Sequence, residues 1–176
     1  GMALAQQIYT SGIDFDFVDD LKLNEATVND GILHIDELEF RVVLMPPMTT
    51  IRTDTLEKIK AFYEGGGTVI AVSHLPGGSA EHGRNDPRIR ELLTELFGIP
   101  TSSDYIHAVG RSTQGVSRVS TQRHAGGGQA IFIPQPELHS NVWHDPGFFR
   151  TKADTSSVIA NAIERDVVAS GGVTLS

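Results

Sequence analysis

Cysteine is absent from this chain of 176 residues, and positive charge is scarce. Without a thiol the protein can form no disulfide, no thiolate metal site and no cysteine nucleophile. The 14 Lys and Arg residues stand against 22 Asp and Glu residues, which gives a formal net charge of −8. A chain of this charge repels phosphates, so we expect no nucleic-acid partner.

Long apolar runs are also absent, because no segment approaches the ~18 consecutive apolar residues of a membrane helix. We therefore expect no membrane partner. Gly1-Met2 resembles a cloning remnant and no signal peptide follows it, which leaves the natural compartment open. With 39% hydrophobic and 20% charged residues, the composition is typical of a soluble globular protein. The length fits a single domain over residues 1–176.

What is present is an alternation of strand and helix patterns. Segments with the period or composition of strands lie at 13–17, 26–35 (a ribbon turning at Asn29-Asp30-Gly31), 40–45, 68–72, 116–121 and 129–133. The runs 40–45 and 68–72 are mainly apolar, which predicts strands that are covered on both faces, as in a parallel sheet. The last two strands, joined through 125–128, predict an added antiparallel hairpin.

Apolar residues at helical spacing predict helices at 3–11, 54–64, 87–97 and 155–168. Asp54 is predicted to cap the second helix, with Glu57 in the capping-box position. Asp86-Pro87 opens the third helix. Strands alternating with helices predict the α/β class. The chain opens with a helix, whereas doubly wound domains usually begin with a central strand. We therefore expect a fragment of a longer chain whose first strand lies upstream.

Ligands of open parallel sheets gather beyond the carboxyl ends of the strands. The residues at those positions are Asp19, Asp20, Pro46, Met48, Ser73, His74, Pro134 and Gln135. Two glycine runs, at 65–67 and 126–128, lack the spacing of phosphate-binding motifs. They are predicted to end a helix and to turn a hairpin. We expect no cofactor.

Ser73-His74 follows a buried strand, which is where nucleophile elbows occur. The flanking residues are not the small ones that an elbow needs, and adjacent Ser and His side chains do not easily pair. We therefore favour a loop with local hydrogen bonds. The alternative is a small serine hydrolase with Ser73 as nucleophile and His74, or a distant histidine, as base.

A second candidate region is the aromatic loop 139–149, where His139, His144 and Asp145 lie close together in sequence. Their spacing matches no compact zinc pattern, so we predict no metal site. Trp143 and its aromatic neighbours favour a packed surface loop. They leave open a carbohydrate- or protein-binding module in which Trp143 stacks on a sugar ring or a partner chain.

Several phrases of the sequence occur in a recurring order. They are Phe15-Asp16-Phe17-Val18-Asp19, Ala26-Thr27-Val28 with Gly31 and Leu33, Phe40-Arg41-Val42-Val43-Leu44-Met45-Pro46, Thr55-Leu56-Glu57-Lys58-Ile59, Gly65-Gly66-Gly67-Thr68-Val69-Ile70, Pro76, Asp86 and Leu96-Phe97-Gly98. This order resembles a segment of large bacterial glycoside hydrolases of the α-L-rhamnosidase type, over roughly residues 3–98. The similar segment of β-galactosidase-type enzymes is a class I glutamine-amidotransferase-like domain.

The resemblance implies a three-layer flavodoxin-like sandwich with a mostly parallel sheet. It also implies that the catalytic carboxylates lie in a barrel domain elsewhere, and no residue here matches them. Amidotransferase-like relatives need a cysteine at the strand end, near Val72-Ser73-His74, and this chain has none. The resemblance therefore predicts a noncatalytic accessory domain that packs against the catalytic barrel of its parent chain, forms a homo-oligomer or shapes a sugar site.

Overall fold

The computed structural model describes residues 14–99 and 119–133. The chain divides into two compact units, one comprising Phe17–Glu137 and the other comprising Gly1–Asp16 and Leu138–Ser176. Every element below belongs to the first unit. The predicted helices at 3–11 and 155–168 lie outside the described residues, as do Gln135 and Trp143. The single domain over 1–176 stays a prediction.

The described residues form helices α1 (Asp20–Glu25), α2 (Thr53–Glu64) and α3 (Pro87–Phe97). The strands are β1 (Thr27–Asn29), β2 (Ile32–Ile35), β3 (Leu38–Phe40), β4 (Val42–Met45), β5 (Thr50–Ile51), β6 (Thr68–Val72), β7 (Gly78–Ser79), β8 (Gly83–Arg84), β9 (Ser120–Arg123) and β10 (Gln129–Ile133). This mixture of helices with parallel and antiparallel strands is the α/β class that the sequence predicts.

The central sheet has the strand order β4-β6-β10-β9. Strand β6 pairs in parallel with β4 on one side and with β10 on the other. Strand β9 runs antiparallel to β10. The predicted parallel pairing of 42–45 with 68–72 is therefore confirmed, and so is the added hairpin at its described residues.

The core lies between this sheet and two helices. Val69 and Ala71 of β6, with Phe132 of β10, belong to one buried cluster with the apolar faces of α2 and α3. The alternate residues of β6 and β10 are buried as well, since every position of both strands is buried. Both faces of β6 are thus covered, as the unbroken apolar run predicts. Each fully buried aliphatic side chain contributes about 1.5–3 kcal/mol to folding.

Helix α3 begins and ends where the sequence places it. The Asp86 carboxylate accepts a 2.8 Å hydrogen bond from the Arg88 N–H, and Pro87 occupies the first turn. Gly98 closes the helix in the left-handed conformation, with φ of 65°. Aspartate caps the start because it satisfies an N–H that has no partner inside the helix.

The predicted cap of α2 is wrong. This helix starts at Thr53, and its N-cap residue Arg52 makes no side-chain capping bond. Asp54 lies inside the first turn, where its carboxylate binds the Arg52 guanidinium at 2.8 and 3.0 Å. Glu57 does not close a capping box but accepts a 2.9 Å hydrogen bond from Arg88. The Asp54 carboxylate is thus engaged by Arg52 and by the Thr55 N–H inside the first turn, an arrangement that simple capping rules do not include.

The predicted strand at 13–17 is also wrong at its described residues, because 14–17 form no regular structure. Phe15 and Phe17 are 39% and 77% exposed. Alternating apolar and acidic residues form a strand only where a neighbour takes the hydrogen bonds and a core takes the apolar face. Asp19 consequently follows no strand; it is the N-cap of α1, and Asp20 lies in its first turn.

The apolar run 40–45 belongs to two strands rather than one. Phe40 ends β3 and pairs with Leu33, whereas Val42 begins β4 in the central sheet. Strands β1, β2 and β3 form a separate antiparallel sheet. Its first turn is the predicted ribbon turn, and Asp30 and Gly31 there have φ of 49° and 73°. Positive φ at both central residues is the signature of a type I′ hairpin turn.

Glycines at the amino-terminal edge of the central sheet allow three turns to meet. A Cβ added to Gly31 would lie 2.7 Å from the carbonyl carbon of Gly66. A Cβ added to Gly66 would lie 3.2 Å from the Gly126 carbonyl oxygen, and one on Gly128 would overlap the Tyr63 carbonyl oxygen. Both glycine runs therefore serve close packing of backbone, and the interpretation that they end a helix and turn a hairpin is confirmed.

We expect Gly128→Ala to lower the free energy of unfolding by about 3 kcal/mol, because the new methyl group would overlap backbone that cannot move without unwinding the end of α2. The matched control is Gly127→Ala. Gly127 has φ of 92° and no atom within 4 Å of an added Cβ, so only backbone strain opposes the change. That strain is about 1 kcal/mol. Urea unfolding measures the loss of unfolding free energy in each variant. If Gly127→Ala loses as much as Gly128→Ala, or more, the packing described is contradicted.

Candidate functional site

At the carboxyl-terminal edge of the central sheet, the structure describes the segments that leave β4 and β6. These segments run side by side, because the Gly77 N–H donates a 3.0 Å hydrogen bond to the Thr49 carbonyl and β5 then pairs in parallel with β7. Strand β8 completes this small sheet, antiparallel to β7. The edge that the sequence predicts as the ligand-binding edge is thus a hydrogen-bonded platform.

Ser73 is held in a strained turn at the end of β6. Its φ is 73°, and the His74 N–H donates a 3.0 Å hydrogen bond to the Val72 carbonyl, which closes a three-residue γ-turn. A γ-turn whose central residue has positive φ is rare and strained. The Ser73 N–H donates at 2.8 Å to the Ile133 carbonyl, so the parallel ladder between β6 and β10 fixes this strain in place.

The side chains of Ser73 and His74 are in contact, although residues adjacent in sequence are not expected to form a Ser–His pair easily. Ser73 Oγ lies 3.3 Å from His74 Nδ1. Burial lowers the pKa of His74 from the ordinary 6.5, because the charged imidazolium loses solvation. The ring is therefore mostly neutral at pH 7 and can accept a proton.

A working serine nucleophile needs more than this contact. The base must be oriented by a third group, and a backbone N–H after the nucleophile must be free for the oxyanion. No described carboxylate is hydrogen-bonded to His74. Moreover, the His74 N–H that would point at an oxyanion is already donated to Val72. The interpretation of Ser73-His74 as a locally bonded loop fits this geometry better than a catalytic elbow.

Of the other predicted ligand residues, the structure describes Met48 and Asp19, and neither is hydrogen-bonded to Ser73 or His74. Met48 is half-buried and packs against the hydrophobic core. The Asp19 carboxylate accepts a 2.8 Å hydrogen bond from the Lys22 N–H at the start of α1, which packs against α2 and β2. Within the described residues, no hydrogen bond links Asp19 to the strand ends. Its role there is to cap a helix.

The sequence does not single out the hairpin residues that carry most polar contacts of this edge. Asp86 is 6% exposed, and the Ser79 hydroxyl, which binds its carboxylate, is the main cause of its lowered pKa. The His82 N–H donates to Ser79 Oγ at 2.8 Å, and His82 Nδ1 lies 3.4 Å from an Asp86 oxygen. In the sequence, only the capping pair Asp86-Pro87 indicates this cluster, because residues 77–85 have the composition of an ordinary loop.

Comparison with known protein families and with curated proteins found no match to this chain. In the part of the chain that the structure describes, no three His, Cys, Asp or Glu side chains come together in a way that could hold a metal ion. In that same part, no helix is long and apolar enough to cross a membrane.

We expect Ser73→Gly to be more stable than Ser73→Ala by about 0.5–1 kcal/mol, because glycine removes the left-handed strain at an entropic cost that is smaller than the gain. Both variants lose the hydroxyl, so their difference reports the backbone alone. The measurement is urea unfolding of the two variants. If Ser73→Gly is equal to or less stable than Ser73→Ala, position 73 is not strained.

His74 should make the protein less stable as the pH falls. Its folded pKa lies below 6.5, so the unfolded chain binds this proton first, and stability is lost as the pH drops through about 6.5 toward the lower folded value. His74→Gln removes this contribution. Unfolding free energies at several pH values between 7.5 and 5 should show the wild type losing its advantage over the variant. A difference that stays constant over this range contradicts the assignment.

Proposed function

We propose that this chain is an amidotransferase-like domain without a working nucleophile. It would act as a noncatalytic accessory domain of a carbohydrate-active enzyme, of the rhamnosidase-like glycoside hydrolase type. A three-layer flavodoxin-like sandwich is part of this proposal. Its work would be packing, assembly or shaping of a sugar site rather than chemistry of its own.

The observation that carries the proposal is the turn at Ser73. The resemblance expects a cysteine at the end of the central strand, near Val72-Ser73-His74, and Ser73 there has a strained backbone with φ of 73°. Serine occupies the position, and the following N–H donates to Val72 instead of pointing outward. A strained turn near the expected position, without a cysteine, supports an amidotransferase-like domain whose activity is lost.

The layering of the central sheet supports the flavodoxin-like part of the proposal. Helices α2 and α3 contact each other and pack on the same side of β6 and β10. The residues of these strands that point to the opposite side, such as Ile70 and Ile133, are also buried. A sheet with both faces covered is what a three-layer architecture requires.

Exposed apolar side chains support a partner for the domain. Leu21 on α1 and Leu38 on β3 are 72% and 51% exposed. Elements α1 and β2, the neighbour of β3, contact each other, and a 2.9 Å ion pair joins Lys22 to Asp36 beside them. Exposed apolar residues become typical of protein–protein contacts where they form a contiguous patch. A catalytic barrel of the same parent chain, or a second copy, would cover them.

A serine hydrolase that uses Ser73 is the second candidate. The observation in its favour is the 3.3 Å contact between Ser73 Oγ and a mostly neutral His74. Against it stand the occupied N–H of His74 and the lack of a described carboxylate that orients the ring. The two candidates differ in whether the Ser73 hydroxyl is activated.

A fluorophosphonate probe separates them, because only an activated serine reacts. We expect the wild-type chain to be labelled no more than Ser73→Ala under conditions in which a known serine hydrolase is labelled fully. Labelling that disappears in Ser73→Ala, and survives in Ser79→Ala, would establish the hydrolase and reject the noncatalytic assignment.

The link to carbohydrate chemistry has its own test. The chain should not hydrolyse aryl rhamnosides or aryl galactosides faster than a Ser73→Ala, Asp19→Ala double variant. Turnover well above that control would reject a noncatalytic domain. The natural reading frame around the chain gives the positive test: a frame that continues into a glycosidase barrel supports the proposal, and a frame that encodes no such barrel contradicts it.

A further inference from the structure

The hairpin formed by β7 and β8 holds the start of a helix that has no cap of its own. Helix α2 begins without a side-chain capping bond from Arg52. The first N–H groups of a helix need an acceptor from outside the helix. Thr53 finds one 28 residues further along the chain, at the tip of the hairpin.

That acceptor is Glu81. One of its carboxylate oxygens lies 3.2 Å from both the Thr53 N–H nitrogen and the Thr53 hydroxyl, and the other lies 3.9 Å from the Arg52 guanidinium. Partial burial acts to raise the pKa of Glu81, but hydrogen bonds from its own backbone and from Thr53 outweigh this and lower it. The negative charge also suits the positive end of the helix dipole.

Backbone hydrogen bonds attach the rest of the hairpin to β5 and close its base. The Ala80 N–H donates to the Ile51 carbonyl at 3.1 Å, and the Asn85 N–H donates to the Gly77 carbonyl at 3.0 Å. His82, next to Glu81, lies 3.4 Å from Asp86, the cap of α3. The three-residue tip of the hairpin therefore touches the amino-terminal ends of both long helices.

We infer that this hairpin is a clasp on the carboxyl-terminal edge of the sheet. Glu81 caps α2 in trans, so that docking of the hairpin and ordering of the first turn of α2 occur together. Release of this one contact loosens both segments at once. Because the hairpin continues directly from the loop after β6 and pairs with β5 after β4, its release also frees the loops that carry Met48 and His74.

The side chains that form the clasp are partly exposed, so the contact between them can open without unfolding of the core. Those of Arg52 and Glu81 are 42% and 32% exposed. The β6–β10 ladder, by contrast, is buried at every position. Opening of the clasp should therefore be a local event that leaves the central sheet folded, since exposed and sparsely packed segments open at lower free energy than the core.

Amide hydrogen exchange on the full chain, followed by NMR, tests the clasp. Two amides report opening on the two sides of the contact. The Leu56 N–H donates to the Arg52 carbonyl in the first turn of α2, and the Ala80 N–H in the hairpin donates to the Ile51 carbonyl. Loss of a helix cap corresponds to roughly fivefold faster opening. We expect Glu81→Ala to accelerate exchange at both amides by about this factor, with the Ser73 amide unchanged.

Two further variants keep the test decisive. Glu91→Ala removes an exposed carboxylate that pairs with Arg88, and it should leave both amides as in the wild type. Thr53→Val removes the hydroxyl on the helix side and should accelerate exchange at Ala80, because coupling between two segments is reciprocal. The clasp is rejected if Glu81→Ala accelerates hydrogen exchange at Ala80 alone or at neither amide. It is also rejected if Thr53→Val leaves exchange at Ala80 unchanged, because the two segments are then not coupled.

Discussion

The parallel pairing of β6 with β4 and β10 is the interaction on which the rest of this unit depends. Every residue of β6 and β10 is buried, and the pairing aligns Val43, Val69 and Ala130 in one register on the face that α2 and α3 cover. Parallel strands need crossover connections, and α2 makes the first of them between β4 and β6. This ladder positions the helices, the edge loops and the strained turn at Ser73.

The two edges of the sheet have different chemistry. At the amino-terminal edge, backbone meets backbone through Gly31, Gly66 and Gly126. At the carboxyl-terminal edge, polar side chains are added to the backbone pairing of β5, β7 and β8: Glu81 accepts from the start of α2 and Asp86 from the start of α3. The carboxylates already occupy the helix starts where an open α/β sheet often receives an anion.

Much of this fold could be predicted from the sequence, because its strongest signals are local. Asp86-Pro87, Gly98 and the turn at Asp30-Gly31 each depend on backbone geometry that few residues satisfy. The errors share a different cause. The capping rule that predicts Asp54 as the cap takes no account of the neighbouring Arg52, and the strand at 13–17 is predicted from a local period that does not by itself determine a strand. Glu81 could not be found at all, since its partner Thr53 is 28 residues away and no local pattern connects them.

The glycine junction at Gly31, Gly66 and Gly126 has a consequence for how this domain can change during evolution. Three turns that touch through bare backbone cannot accept an inserted residue or a larger side chain unless all of them move together. At the opposite edge, the contacts to the helix starts are made by the side chains of Glu81 and Asp86, so they can be replaced one at a time. Divergence among relatives should therefore accumulate at one end of the sheet, while the other end preserves the ancestral turn lengths.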